Sequence, residues 1–388
     1  MAAASTSTAL SPAELSYLHT SLSLTPPLRP DLRSPSEFRP LRAETDLLST
    51  CNGSAHVSLT DGSEALVGIK AEVHRTRGGD VTKRLEEEWS EKMRLDDESQ
   101  VIDSGLRSTG QRRLKGSPDW ISLNVDISTL RDDDALLNFL SEMLREPLLT
   151  ASTQQNTSLV DALVINSNWH WHLHIDILLL SPFSAAGTSY PLPLLSLATH
   201  LALRSTRLPK LKSQGEEDPL VDDDWESSAY LFPARPKAKR KAQHDPLAIS
   251  KQVEQMMRMP PITLLVMTAG SNIIFDPSHS ELAVADAVLA VSVGLSVSDN
   301  KPSITTPTIL AIRMIETPAR NTMRGVPAST SAEMVQGDFI PGVWRPRTGG
   351  LKRDMLKRVV SAVVGGGVAD GGVAREVFDG LEGFLSLS

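Results

Sequence analysis

The chain has 388 residues, 40% of them hydrophobic, and a formal net charge of −8. That length suits two domains of roughly 150 residues each, and the apolar fraction excludes a globally disordered chain. The acidic balance lacks the basic footprint of a free-standing nucleic-acid binder, so any such contact must come from local patches or partner chains.

Ser11, followed by Glu14, starts a helix by the capping-box pattern and carries it to about Ser21. Pro26, Pro27 and Pro30 then impose an extended arm. Ala55 to Leu59 and Ala65 to Val73 flank Asp61-Gly62, a tight-turn dipeptide, and read as a hairpin. In its second strand Ala65, Val67, Ile69, Ala71 and Val73 alternate with Leu66, Gly68, Lys70 and Glu72, which buries one face. From Arg75 to Pro118 the chain is dense in both charges and reads as an inserted surface segment. Within it Lys83 to Leu95 places Leu85, Trp89 and Met93 at helical spacing.

Trp120 to Ile127 reads as a strand, and Asp132 to Asp134 suit the N-terminus of a helix that carries Leu137, Leu140 and Leu144 and stops before Pro147. Leu159 to Ile165 reads as a strand. Trp169 to Leu180 is the most regular one, with Trp169, Trp171, Leu173, Ile175, Ile177 and Leu179 on one face. A Pro- and Gly-containing loop leads to a helix through Leu195, Ala198, Leu201 and Ala202. Gly215 to Ile249 runs acidic and then basic, and marks a boundary. Ile262 to Met267 and Asn272 to Phe275 form a hairpin over Ala269-Gly270. Ala285 to Val293 and Thr308 to Ile315 are strands, and Arg320 to Thr348 is loop. Helices follow through Leu351 to Val364 and through Val373, Val377 and Leu381.

The fold class is therefore α+β, two mixed halves of strands followed by helices. The organisation expected is a helix and arm over 1–27, a first domain over 28–214 with the insertion 75–118, a charged linker over 215–257, and a second domain over 258–388. Both charged segments are expected to stay outside either core, because they cannot bury enough surface to offset an ordering cost of ~1–2 kcal/mol per backbone residue.

Several residues invite a chemical reading. Cys51, the one cysteine, excludes an internal disulfide or a cysteine-based zinc site and reads as a small side chain beside a turn. His170, His172, His174 and Asp176 share one strand face and could hold zinc. Residues two apart on a strand stand about 6.6 Å apart, however, so the reading favoured is a half-exposed polar face. No Gly-x-Ser-x-Gly elbow supports a serine triad. Gly365 to Gly367 and Gly371-Gly372 lack the context of a phosphate loop and read as a break between helices. The run Arg235 to Lys241 fits an import signal, a phosphate contact or a solvated loop equally well. Sequons at Asn52 and Asn156 carry no meaning in an intracellular chain, and the first nine residues do not form a secretory signal. No apolar run approaches the ~20 residues of a membrane helix.

A set of short motifs resembles the RNase PH-family subunits of the RNA exosome core. Arg29-Pro30-Asp31-Leu32-Arg33, Glu37-Phe38-Arg39, Asn52-Gly53-Ser54-Ala55, Asp61-Gly62 and Val67-Gly68-Ile69-Lys70-Ala71-Glu72 look like the family's opening. The likeness resumes in Arg131-Asp132-Asp133-Asp134-Ala135, Asp176-Ile177-Leu178-Leu179-Leu180-Ser181 and Leu203 to Leu211, and in Ile274-Phe275-Asp276-Pro277 with Glu281. The family's arm usually reads Arg-Pro-Asp-Gly-Arg; Leu32 stands for the glycine, so that turn is expected to differ.

The resemblance implies an RNase PH-like fold and a non-catalytic structural subunit of a hexameric ring. The ring's other members are RNase PH-like chains, with RNA-binding cap subunits on one face and RNA in the channel. The implied role is 3′-to-5′ RNA processing and degradation, including rRNA maturation, in nucleus, nucleolus and cytoplasm, with no membrane contact. Active relatives carry an Asp-Gly-Gly-Thr-Arg-type stretch that holds phosphate at a helix N-terminus. Here that stretch reads Ser184-Ala185-Ala186-Gly187-Thr188-Ser189-Tyr190, without aspartate or arginine, and Asp276 and Glu281 do not restore it. No catalytic residue, metal ligand or cofactor is therefore assigned. The alternative is a phosphate-dependent 3′-to-5′ exoribonuclease active in its own right. Arg131 and Lys210 are the candidate RNA contacts, each with a surface ion pair as its bland counterpart.

Overall fold

The computed structural model describes residues 10–76, 116–150, 159–181, 189–213, 218–232, 259–298, 301–315, 350–365 and 372–385. The helix expected over Lys83 to Leu95, the loop over Arg320 to Thr348 and the basic run Arg235 to Lys241 lie outside them. Two sheets make up the frame. The first, in the order β1-β2-β3-β5-β4, comprises β1 (Leu41–Thr45), β2 (Gly53–Leu59), β3 (Glu64–Arg75), β4 (Ile121–Ile127) and β5 (Trp169–Leu179). Only the β4–β5 pair is parallel; the others are antiparallel. The second sheet is antiparallel, in the order β11-β10-β8-β9, with β8 (Ile262–Ala269), β9 (Asn272–Phe275), β10 (Ala287–Ser298) and β11 (Lys301–Ile315). A two-residue pair, β6 (Arg207–Leu208) with β7 (Ala229–Tyr230), completes the strands among the described residues.

Seven helices accompany them among the described residues: α1 (Pro12–Ser23), α2 (Ala135–Leu149), α3 (Leu159–Ala162), α4 (Leu192–Ser205), α5 (His279–Leu282), α6 (Arg353–Val364) and α7 (Gly372–Leu385). α1 begins with the expected capping box at Ser11 and Glu14. α2 is capped by Asp134, whose carboxylate accepts from the Leu136 N–H at 2.9 Å. α4 joins the halves. It packs on β2 and β3 on one side and on β8 on the other, and all of its residues are buried. A helix apolar all round belongs inside a core rather than on its rim. Its polar side chains are satisfied locally: the Ser196 hydroxyl accepts from the Thr263 N–H at 2.7 Å, and His200 Nδ1–H donates to the Pro260 carbonyl at 2.8 Å. Burial, with the charge of Arg204, pushes the His200 imidazole down to about 3, so it is neutral.

The motif Asn52-Gly53-Ser54 is where the end of α4 meets the first sheet. The Asn52 amide donates to the Arg207 carbonyl at 3.1 Å and accepts from the Ala71 N–H at 2.9 Å. The Ser205 hydroxyl accepts from the Ser54 N–H at 3.1 Å. Gly53 leaves room for Thr206, whose Cα would stand 2.6 Å from any added Cβ.

Five expectations change. Leu159 to Ile165 is not a strand: it holds the single turn α3 and one bridge, Val164 to His170, a length at which an apolar run does not settle helix against strand. α2 continues through Pro147 to Leu149, because Pro147 and Leu148 are buried in its last turn. β10 and β11 are longer than their apolar runs. Pro307 sits inside β11, which is an edge strand where a missing N–H can be tolerated. Leu32 takes φ 63, the left-handed conformation that glycine favours, so the arm keeps a positive-φ residue there. Finally, the segment read as linker contributes Phe232 to the core, and Ala229–Tyr230 pairs with β6.

Gly53→Ala is expected to destabilise the chain by about 1–3 kcal/mol, as overpacking against backbone does. A thermal melt checks it; an unchanged midpoint would mean that α4 can retreat from β2.

Candidate functional site

The N-terminal arm crosses from the first sheet to the second and lays three arginines against Asp276 of the β9–α5 connection and Glu281 of α5. Arg29 is the most buried; neither its side chain nor that of Glu281 is exposed (0% each). Its Nε and Nη2 donate to the two Glu281 oxygens at 2.8 and 2.9 Å. The remaining donors reach the carbonyls of Ser34, Glu37, Phe275 and Asp276. Glu281 also accepts from the Ser278 N–H at 2.7 Å, which closes the capping box of α5.

Asp276 is the second anchor, held at φ 45. Arg39 grips it in bidentate fashion, Nε to Oδ2 at 2.9 Å and Nη2 to Oδ1 at 2.6 Å, while the Arg39 N–H adds a third bond at 2.8 Å. Arg33 donates to Asp276 Oδ2 at 3.0 Å and to Asp31 at 2.5 Å. The last Arg39 nitrogen, Nη1, donates to Asp61 Oδ2 at 2.5 Å and to Ser189 Oγ at 2.7 Å. Burial alone would push the Asp276 carboxyl up; the hydrogen bonds and charge of Arg39, with the charge of Arg33, hold it below the usual carboxylate range. Asp61 is held low in the same way, against burial, by the Ser63 N–H and then by Arg39. The same carboxylates raise Arg39 against its own burial.

Arg29, Arg33 and Arg39 thus face Asp31, Asp61, Asp276 and Glu281, which leaves one net negative charge. The cluster adjoins the N-terminus of α4, a natural anion site in other helices. Here Pro191 is the N-cap and Pro193 lies in the first turn, so two amide donors are absent. The cavity between this terminus, Arg39 and Ser189 measures about 10 Å³, room for no more than a water. Burial pushes Tyr190 at its wall up to about 12.

The residues singled out in the sequence are spread apart. Arg131 is exposed, with Nε 3.4 Å from Asp133 Oδ1. Lys210 is exposed on a separate stretch, where its carbonyl accepts from the Asp222 N–H at 2.8 Å. Of the Ser184 to Tyr190 stretch only Ser189 and Tyr190 are described. Asp276 and Glu281 are the arm's anchors, a role that only the folded geometry gives them.

The strand histidines divide. His170 is buried, stacked on Trp120 at 4.1 Å, with Nδ1 2.9 Å from Thr76 Oγ1. His172 and His174 lean together, ring centroids 4.5 Å apart, and β3 adds His74 and Glu72, which the sequence reading did not join to them. Asp176 is exposed and stands outside this group.

No protein-family model matches the sequence. The chain is 28% identical over 283 residues to the exosome complex component RRP42 of Saccharomyces cerevisiae, covering 73% of this chain and 81% of that protein. It is 28% identical over 301 residues to the exosome complex component rrp42 of Schizosaccharomyces pombe, covering 74% and 79%. Two solved structures align at 15% identity. They are an archaeal exosome core, with TM-score 0.48 over 95% of this chain and 96% of that one, and the Archaeoglobus fulgidus exosome with RNA bound to the active site, with TM-score 0.43 over 83% and 92%. The chain is an α+β protein of two sheets clamped by an arm. It is similar to the RRP42 exosome components of two yeasts over about four-fifths of their length.

Asp276→Asn is expected to cost about 3–5 kcal/mol, because it leaves Arg33 and Arg39 buried against a neutral group. The depressed Asp276 and Asp61 carboxyls stabilise the fold above their unfolded value of about 3.9, and that stability is lost as pH falls through their lower folded values. Acid titration should therefore show a shallower loss of stability in Asp276→Asn than in the parent; parallel curves would remove Asp276 from the acid response.

Proposed function

We propose that this chain is a structural subunit of an RNA exosome core ring, without phosphorolytic activity of its own, that supports 3′-to-5′ RNA processing and degradation including rRNA maturation. The observation that carries the reading is the 28% identity over about four-fifths of two yeast RRP42 components. Two features of the chain support the lack of activity. The cation nearest the α4 N-terminus, Arg39, is committed to Asp276, Asp61 and Ser189. The helix itself lacks two donors, and the cavity between its N-terminus, Arg39 and Ser189 holds no more than a water. Phosphorolysis needs cations free to gather phosphate against an anionic RNA backbone.

In this reading the partners are other RNase PH-like subunits of a hexameric ring, RNA-binding cap subunits, and RNA in the channel. The complex works in nucleus and nucleolus and also in the cytoplasm. The two domains divide at the 215–257 segment. Arg131 and Lys210 contact phosphate only in the assembled complex, through side chains that the isolated chain leaves to solvent and to neighbouring acids.

Purification from cell extract at moderate salt should recover stoichiometric RNase PH-like subunits, and the isolated chain with single-stranded RNA, phosphate and magnesium should release no nucleoside diphosphate. Absence of those partners would overturn the structural role. Steady release of diphosphate would restore the exoribonuclease. In the assembled complex, Arg131→Ala and Lys210→Ala should each reduce the slope of RNA affinity against salt by about one; unchanged slopes would return both residues to surface ion pairs.

A further inference from the structure

We propose that Glu72, His74 and His174 form a binding site for a divalent transition cation of the zinc class, on the polar face of the first sheet. The site is a product of strand pairing. β3 and β5 run antiparallel with His74 opposite His170, Glu72 opposite His172 and Lys70 opposite His174. Sheet twist brings the diagonal neighbours together. Glu72 Oε2 stands 3.4 Å from His74 Nε2 and 3.7 Å from His174 Nε2, and one ligand atom from each of the three lies within 4.8 Å of the others. Ligand atoms on a tetrahedral zinc with bonds of about 2.0–2.1 Å stand roughly 3.3 Å apart. Small torsional changes in side chains that remain partly exposed close that difference.

Three features favour a cation over a chance meeting of polar groups. The His174 ring is oriented from behind, with Nδ1 2.8 Å from Ser122 Oγ on β4, which leaves Nε2 directed at Glu72. Such partners fix ring orientation in metal sites. Lys70 occupies the other Glu72 oxygen, Nζ to Oε1 at 2.7 Å, and leaves Oε2 on the histidine side. His172 lies between the two ligand rings, 4.9 Å from His74 and 4.5 Å from His174 by ring centroid, and supplies an imidazole beside the open position. Two nitrogens and one carboxylate oxygen select zinc, cobalt or nickel over magnesium or calcium.

The test uses the full chain, free of affinity tags and dialysed against chelator, with zinc alone as the probe and cobalt as its spectroscopic substitute. Equilibrium dialysis with elemental analysis should find one zinc per chain, and cobalt should give the intense visible bands of a tetrahedral site. Glu72→Gln and His174→Ala should each weaken binding by tenfold or more, and Ser122→Ala by about tenfold. His56→Ala, on β2, should change nothing. Circular dichroism of the zinc-free variants confirms their fold, and Glu72→Gln serves if His174→Ala is misfolded. No binding at micromolar zinc overturns the proposal. So does binding of unchanged affinity in Glu72→Gln and His174→Ala, which would place the metal elsewhere.

Discussion

Arg29 and Glu281 are both wholly enclosed, and the interaction between them constrains most of what surrounds it. A buried guanidinium is tolerable only when every donor is matched and its charge is balanced. Glu281 supplies the charge and four carbonyls supply the rest, those of Ser34 and Glu37 in the arm and of Phe275 and Asp276 at the end of β9. The arm must therefore lie where it does. Its position then fixes Arg33 and Arg39 on Asp276, and through Arg39 reaches Asp61 in the hairpin turn of the first sheet. The two sheets are tied twice, by apolar packing of α4 and by this polar cluster.

The same cluster decides what the α4 N-terminus can do. A helix start beside an arginine is an anion site when the cation is free and the amides are present. Here the cation is neutralised in place, the surroundings carry net negative charge, and prolines remove donors. An incoming phosphate would have to displace Asp276 or Asp61 from Arg39, exchanging a fixed, partly dehydrated partner for a solvated one. The cluster has stabilised the fold with the groups that chemistry at this place would require.

Much of the frame was legible because the strand signals are strong. β3 and β5 show period two over long runs, Asp61-Gly62 marks the β2–β3 turn, and Ala269-Gly270 marks the β8–β9 turn. Failures fall where a short pattern met a tertiary effect: α3 in place of a strand, Pro147 carried inside α2 by burial, and Phe232 drawn into the core from an acidic stretch. The arm's arginines and Asp276 stood out as motif letters, but pairing residues some 240 positions apart needs the fold. His170, His172 and His174 stood out too; their regrouping with His74 and Glu72 follows from the register of β3 on β5, which alternation does not supply.

Whether Arg39 is committed internally can be measured directly by titrating inorganic phosphate into the full chain and following binding by calorimetry and by phosphorus NMR. With Arg39 held by Asp276 and Asp61, no saturable binding is expected at millimolar phosphate, and Asp61→Asn, which releases one arm of the guanidinium, should raise the response. Saturable binding to the parent chain, competed by single-stranded RNA, would contradict this and show the α4 N-terminus to be a working phosphate site.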